Sequence, residues 1–242
     1  MERILNPIAY DPIHPPGLFG TLQELRLPLD TLRWAPQWLG LARRRAAASQ
    51  TVMLLPGFGA GPRSMAPLAA YLRALGHQTH DWGLGRNSGD VPALLSALRL
   101  RIADRVQQAG RPVVLVGWSL GGYLAREAAR DDPEAVCQVV TLGSPVIGGP
   151  RFTAVAPWYR ARGHDLDAVE AQVAERYTTP LRVPVTAVYS KRDGVVAWQA
   201  CIDHWSPQVH HVQVNETHLG LGVAPRVLAI VADALQPKRK KS

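Results

Sequence analysis

The 242-residue sequence contains only two cysteines, Cys137 and Cys201. That scarcity excludes a scaffold built on disulfides. Both thiols are expected to be free and buried, and a disulfide between them is the alternative left open. Neither they nor the eight histidines are spaced like metal ligands, so no metal site is expected. Also missing is any run of about 18 apolar residues, so no membrane-spanning helix is expected. The N-terminus lacks the charged start and apolar run of a secretory signal. The protein is therefore expected in the cytoplasm, or at the periphery of a membrane. Lysine is scarce as well. Only Lys191, Lys238, Lys240 and Lys241 stand among the 27 basic residues. Three of them lie in the tail, 237–242, which is expected to be solvated. Most of the net charge of +8 is arginine, at positions such as Arg73, Arg99, Arg101, Arg105, Arg126 and Arg130. Scattered in this way, the arginines read as solvated helix faces, and no nucleic-acid partner is expected. Phosphate-binding loops are absent too. The glycine-rich segment 56–61 lacks the Gly-Lys-Ser/Thr ending of a P-loop, and no G-x-G-x-x-G spacing occurs.

What is present fits one globular domain, 47% hydrophobic with a mean hydropathy of −0.05. Strand-like runs fall at about 51–55, 77–82, 113–117, 136–142, 184–189 and 209–214, with helical patterns such as 64–75 and 91–109 between them. This alternation predicts an α/β fold: a short, six-stranded, mostly parallel sheet with helices on both faces. Residues 1–50 form an extension. Between residues 18 and 41 they are expected to hold two short amphipathic helices interrupted by Pro28 and Pro36. These helices would pack on the sheet or over a site mouth. Peripheral contact with a membrane surface is the second reading of the same tryptophans and arginines. The stretch 147–179 is long for a simple crossover, and it is expected to form a small helical lid.

The densest signal is Gly117-Trp118-Ser119-Leu120-Gly121-Gly122, directly after the apolar run 112–116 and before a helical pattern. Strand, Gly-x-Ser-x-Gly and helix together make a nucleophile elbow. The sharp turn holds Ser119 in a strained backbone and lifts its hydroxyl clear of the sheet at a helix N-terminus. A serine hydroxyl needs a base, and the base needs an orienting acid, each in a loop after a later strand. Asp193 follows the strand at 184–189 and His218 follows the strand at 209–214, so these are the expected acid and base. Asp165, Asp167 and Glu216 are the rival acids. The other seven histidines precede the acid, lie inside a strand (His210, His211) or are expected on a helix (His204). An oxyanion hole is expected from the backbone N–H of Leu120 and of Phe58 in the early glycine-rich loop, with Gly59 as second choice. Trp118, Trp158 and Tyr159 are the residues expected to contact substrate. Trp82, Arg86 and Asn87 are weaker pocket candidates.

Through Leu55-Pro56-Gly57-Phe58-Gly59, the Ser119 hexapeptide, Gly143-Ser144-Pro145, Asp193-Gly194-Val195-Val196 and Thr217-His218, the chain resembles an α/β-hydrolase, in particular a bacterial lipase or esterase. The resemblance covers about residues 50–235. It departs from that group at Pro56-Gly57, where His-Gly is common. It implies hydrolysis of a small-molecule or lipid ester through an acyl-enzyme, without a cofactor. An acyltransferase or thioesterase with the same triad is the nearest alternative, and a non-catalytic lipid- or protein-binding module the more distant one.

Overall fold

The computed structural model describes residues 13–41 and 45–236. The basic tail, 237–242, lies outside the described residues, as do residues 1–12 and 42–44. In chain order the elements are α1 (Leu18–Gln23), α2 (Leu27–Leu41), β1 (Thr51–Leu55), α3 (Ala66–Leu75), β2 (Gln78–Asp81), α4 (Val91–Ala109), β3 (Val113–Trp118) and α5 (Leu120–Asp131). Then follow β4 (Val136–Leu142), α6 (Ala156–Ala161), α7 (Leu166–Tyr177), β5 (Val185–Ser190), β6 (Val209–Val214), α8 (His218–Leu221) and α9 (Pro225–Ala234). The six strands make one parallel sheet in the order β2-β1-β3-β4-β5-β6.

Alternation within the apolar strands builds two cores, because successive side chains point to opposite faces. Val52 and Leu54 of β1 and Val114 and Val116 of β3 meet α2, α3 and α9 on one face. Met53, Leu55, Val113 and Leu115 meet α4 and α5 on the other. The edge strand β2 is short and polar, which discourages pairing with another sheet edge.

The N-terminal segment departs from its expected form. The helical run is interrupted by the 3-10 turn Glu24–Arg26, not by either proline, and α2 continues through Pro36. Pro28 is the second residue of α2, where no backbone donor is needed. Trp34 and Leu41 of α2 are buried in the core shared with α9, and that burial offsets the hydrogen bond lost at Pro36. Phe19, Leu22, Leu25 and Trp38 are exposed. Among the described residues no helix is long and apolar enough to cross a membrane.

Two further expectations need correction. Both cysteines are free, but only Cys201 is buried while Cys137 is exposed. Its position at the start of β4 leaves it where the strand has just begun to enter the sheet. Nor are all the helix arginines solvated. Arg126 and Arg130 lie on α5, which is covered on nearly every side, and each is paired: Arg126 with Asp203, Arg130 with Glu127. Asp203 also accepts from Trp205 N–H at 2.8 Å, Ser206 N–H at 3.0 Å and the Tyr177 hydroxyl at 3.1 Å. Burial alone would raise the Asp203 pKa. Arg126 and the backbone N–H groups of Ser206 and Trp205 outweigh it and hold the carboxyl well below the usual carboxylate range. Stabilisation from the pair is thus present above the ordinary Asp value of about 3.9 and is lost as the pH falls below it. Arg126→Leu strands a buried carboxylate. The expected cost is about 3–5 kcal/mol of unfolding free energy at neutral pH, read by denaturant titration. A loss below about 1 kcal/mol would contradict it.

Candidate active site

The chain leaves β1 toward β2 on one side and returns to β3 on the other. The carboxyl ends of β1 and β3 therefore border the crevice where parallel sheets bind ligands. The loop after β1 carries Phe58, and the residue that ends β3's turn is Ser119.

Ser119 has φ 54° and ψ −125°, and it is the only non-glycine residue with positive φ among the described residues. Strain of this kind costs about 1–3 kcal/mol and persists where the surroundings enforce it. They do so here. Ser119 N–H donates to the Leu142 carbonyl at 2.8 Å, and the backbone of Gly121 packs directly on the Leu55 carbonyl. Leu120 opens α5, so its N–H lacks an intrahelical acceptor and points toward the crevice end of the helix.

The loop after β1 is held by residues 86–87. Asn87, fully buried, donates from Nδ2 to the Pro56 carbonyl at 2.9 Å and accepts at its own carbonyl from Gly59 N–H at 2.8 Å. Arg86 donates from Nε to the Gly59 carbonyl at 2.7 Å. Of the two candidate donors of this loop, Gly59 N–H is thereby occupied. Arg86 and Asn87 thus brace the loop and do not line the cavity, contrary to the sequence expectation. Trp82 is also elsewhere, buried in the α4/α5 core with its Nε1 on the Gly85 carbonyl at 2.9 Å. The chain reaches the cavity wall just later, at Ser88 and Gly89.

Asp193 and His218 come together from the loops after β5 and β6. Asp193 Oδ2 lies 2.7 Å from His218 Nδ1. Asp193 Oδ1 accepts from Val195 N–H at 2.9 Å and Val196 N–H at 2.7 Å, which fixes the carboxylate plane. Against a carboxylate, Nδ1 carries the proton and Nε2 is left as an acceptor. The pair needs a position with no side chain beneath it. Gly143 has φ 54°, and a Cβ there would stand 2.8 Å from Asp193 Oδ2 and 3.1 Å from His218 Nδ1. His218 is 4% exposed, at the start of α8, which Thr217 caps by accepting from Gly220 N–H at 3.2 Å. Burial disfavours the imidazolium, but the charge and hydrogen bond of Asp193, with the charge of Glu24, outweigh it and raise the His218 pKa above its ordinary value.

Glu24 is the residue that sequence reasoning missed. It is buried at 6% exposure, and its carboxylate accepts from the backbone N–H of Gly194 at 2.9 Å, His218 at 2.8 Å and Leu219 at 2.8 Å. The only signal was an acid within an apolar, leucine-rich stretch.

A cavity of about 980 Å³ opens at this point, and Ser119, His218, Phe58 and Leu120 all line it. Trp118, Trp158 and Tyr159 line it too. Phe58, Trp158 and Tyr159 form an aromatic cluster, with ring centroids 4.6 Å apart for Phe58–Trp158 and 5.7 Å for Phe58–Tyr159. Trp118 also donates from Nε1 to the His218 carbonyl at 3.2 Å. The segment between β4 and β5 supplies the wall through α6 and α7. The rival acids have other partners. Asp165 caps α7, Asp167 pairs with Arg151, and Glu216 interacts with Trp34. His204 lies in a bend between β5 and β6 rather than on a helix.

The sequence model of the Alpha/beta hydrolase family matches residues 52–238. The pimeloyl-[acyl-carrier protein] methyl ester esterase of Edwardsiella ictaluri is 32% identical over 135 residues, which covers 54% of this chain and 49% of that protein. The protein of the same name from Aromatoleum aromaticum is 33% identical over 108 residues, covering 44% and 42%. The chain thus spans about half the length of these curated relatives, or less. Among solved structures, a putative lipase from Acinetobacter baumannii superposes with a TM-score of 0.60 at 15% identity, covering 79% of this chain and 85% of that one. The thioesterase domain from the curacin biosynthetic pathway superposes with a TM-score of 0.52 at 17% identity, covering 79% and 92%. At these identities what is shared is the fold.

Proposed function

The chain belongs to the alpha/beta hydrolase family, and we propose that it is a carboxylic ester hydrolase working through Ser119, His218 and Asp193. The observation that supports this most is a buried Asp193–His218 pair whose histidine lines one cavity with a serine held at φ 54°. His218 Nε2 takes the Ser119 proton as Oγ attacks the ester carbonyl. Asp193 holds the tautomer and steadies the imidazolium. The N–H groups of Phe58 and Leu120 receive the developing oxyanion, each worth about 3–4 kcal/mol in comparable sites. His218 then gives its proton to the departing alcohol. Water, deprotonated by His218, attacks the acyl-enzyme and frees Ser119 and the acid.

The cavity and the relatives support one substrate class. The aromatic cluster of Phe58, Trp158 and Tyr159 suits an acyl chain, and the matched esterases are named for a methyl ester of an acyl group on a carrier protein. An acyl ester with a small alcohol is the reading favoured for this chain. Residues 147–179 act as the lid that keeps water from the acyl chain.

p-Nitrophenyl esters from acetate to palmitate test this directly. We expect hydrolysis with a chain-length optimum, and inactivity on every ester overturns the reading. The base must be neutral, so kcat/KM rises with pH through the His218 pKa, with a midpoint above the ordinary value of about 6.5. A rate that stays flat well below that midpoint would count against His218 as the base.

A further inference from the structure

We infer that Glu24 is a positioning residue of the catalytic site, a clamp through which the N-terminal segment holds the acid loop and the histidine loop in working register. The inference rests on the triad reading above and adds a part of the chain that lies before β1, outside the matched family region.

One carboxylate joins both loops. Oε1 accepts from Gly194 N–H, next to Asp193, and from His218 N–H itself. Oε2 accepts from Leu219 N–H. The acid loop is held a second time by its other polar group, as Thr21 Oγ1 donates to the Gly194 carbonyl at 3.1 Å. Contact here is backbone on backbone. A Cβ on Gly194 would sit 2.0 Å from the Gly20 carbonyl oxygen, so only glycine allows the segment to lie this close. These partners are 170 to 195 residues away in sequence, so no local turn explains the arrangement.

A buried carboxylate is costly unless it is fully hydrogen-bonded, and three N–H donors supply that here. The chemistry gives the charge a second use. In the proposed mechanism His218 becomes an imidazolium while it remains buried. Asp193 and Glu24 are the two carboxylates that raise its pKa. Glu24 thus both fixes the backbone that carries the base and favours the charged form of the base during the reaction.

Glu24→Gln in the full chain separates this role from simple glue. Glutamine keeps the size and one acceptor oxygen. Its NH2, however, faces a backbone N–H, and the charge is gone. Activity is measured with p-nitrophenyl butyrate at a temperature where circular dichroism shows both proteins folded. The expected result is a fall in kcat of about tenfold or more, with KM within about twofold, because small misplacements of a base are costly. The acid limb of kcat/KM should also move to lower pH, because the imidazolium has lost a negative neighbour. Glu24→Ala should lower kcat further where it folds. A folded Glu24→Gln protein with unchanged kcat and an unchanged acid limb overturns the inference, even if its melting temperature drops. A Ser119→Ala protein that keeps its activity sinks the triad reading instead, so the two failures are told apart.

Discussion

Ser119→Ala is expected to lower kcat by about a millionfold while the protein stays folded. Ser119 supplies the one nucleophile at the elbow, and nothing else in the proposed path can form the acyl-enzyme. The backbone that sets its position is held by contacts that do not involve its hydroxyl. Ser119 N–H is bound to the Leu142 carbonyl and Gly121 is packed on Leu55. Alanine at this position keeps those contacts, so denaturant midpoints should match the parent. Residual catalysis by the oxyanion donors and binding alone should remain about 10³–10⁴ above water. A variant that retains more than about a tenth of the parent kcat would rule out Ser119 as nucleophile.

Asp193→Asn is expected to lower kcat by about 10⁴ with little change in fold, and the geometry says why. Oδ1 of Asp193 is fixed by the N–H groups of Val195 and Val196. An asparagine would keep its carbonyl oxygen on those donors. Its NH2 must then take the place of Oδ2, 2.7 Å from His218 Nδ1. A donor there forces Nδ1 to accept, so the ring proton moves to Nε2. The base then presents N–H to Ser119 where it should present a lone pair. Substrate KM should change far less than kcat, since Asp193 does not line the cavity. A loss smaller than about tenfold would mean that Asp193 is not the group that orients the base.

How legible the molecule was depended on whether a residue's role is local. The strands read well because parallel strands are buried on both faces and stand out as runs such as 113–116. The elbow read well because its strand, turn and helix are contiguous. Asp193 and His218 were singled out through the order of strand ends, and the structure brings them to 2.7 Å. Trp158 and Tyr159 were singled out because aromatics concentrate in one insertion, and both line the cavity.

Roles set by distant packing were not legible. Asn87 was expected at the cavity, yet it faces the loop after β1, because its side chain satisfies the Pro56 carbonyl in a space closed to water. Arg126 was expected in solvent, yet the burial of α5 on nearly every side, and Asp203 across from it, place it inside. Pro36 was expected to break a helix, but packing of Trp34 and Leu41 carries the helix past it. Glu24 gave no motif at all. Its partners are three backbone N–H groups near the other end of the chain, and backbone groups leave no mark in a sequence.

Covalent capture tests the role of Ser119 as nucleophile most directly. The full chain is treated with a fluorophosphonate, digested, and its modified peptide mapped by mass spectrometry. One adduct is expected, on the Ser119 hydroxyl, formed in step with loss of esterase activity and absent in Ser119→Ala. An adduct on another serine near the cavity, such as Ser88 or Ser144, would contradict it. So would ester hydrolysis that continues at full rate with no adduct formed.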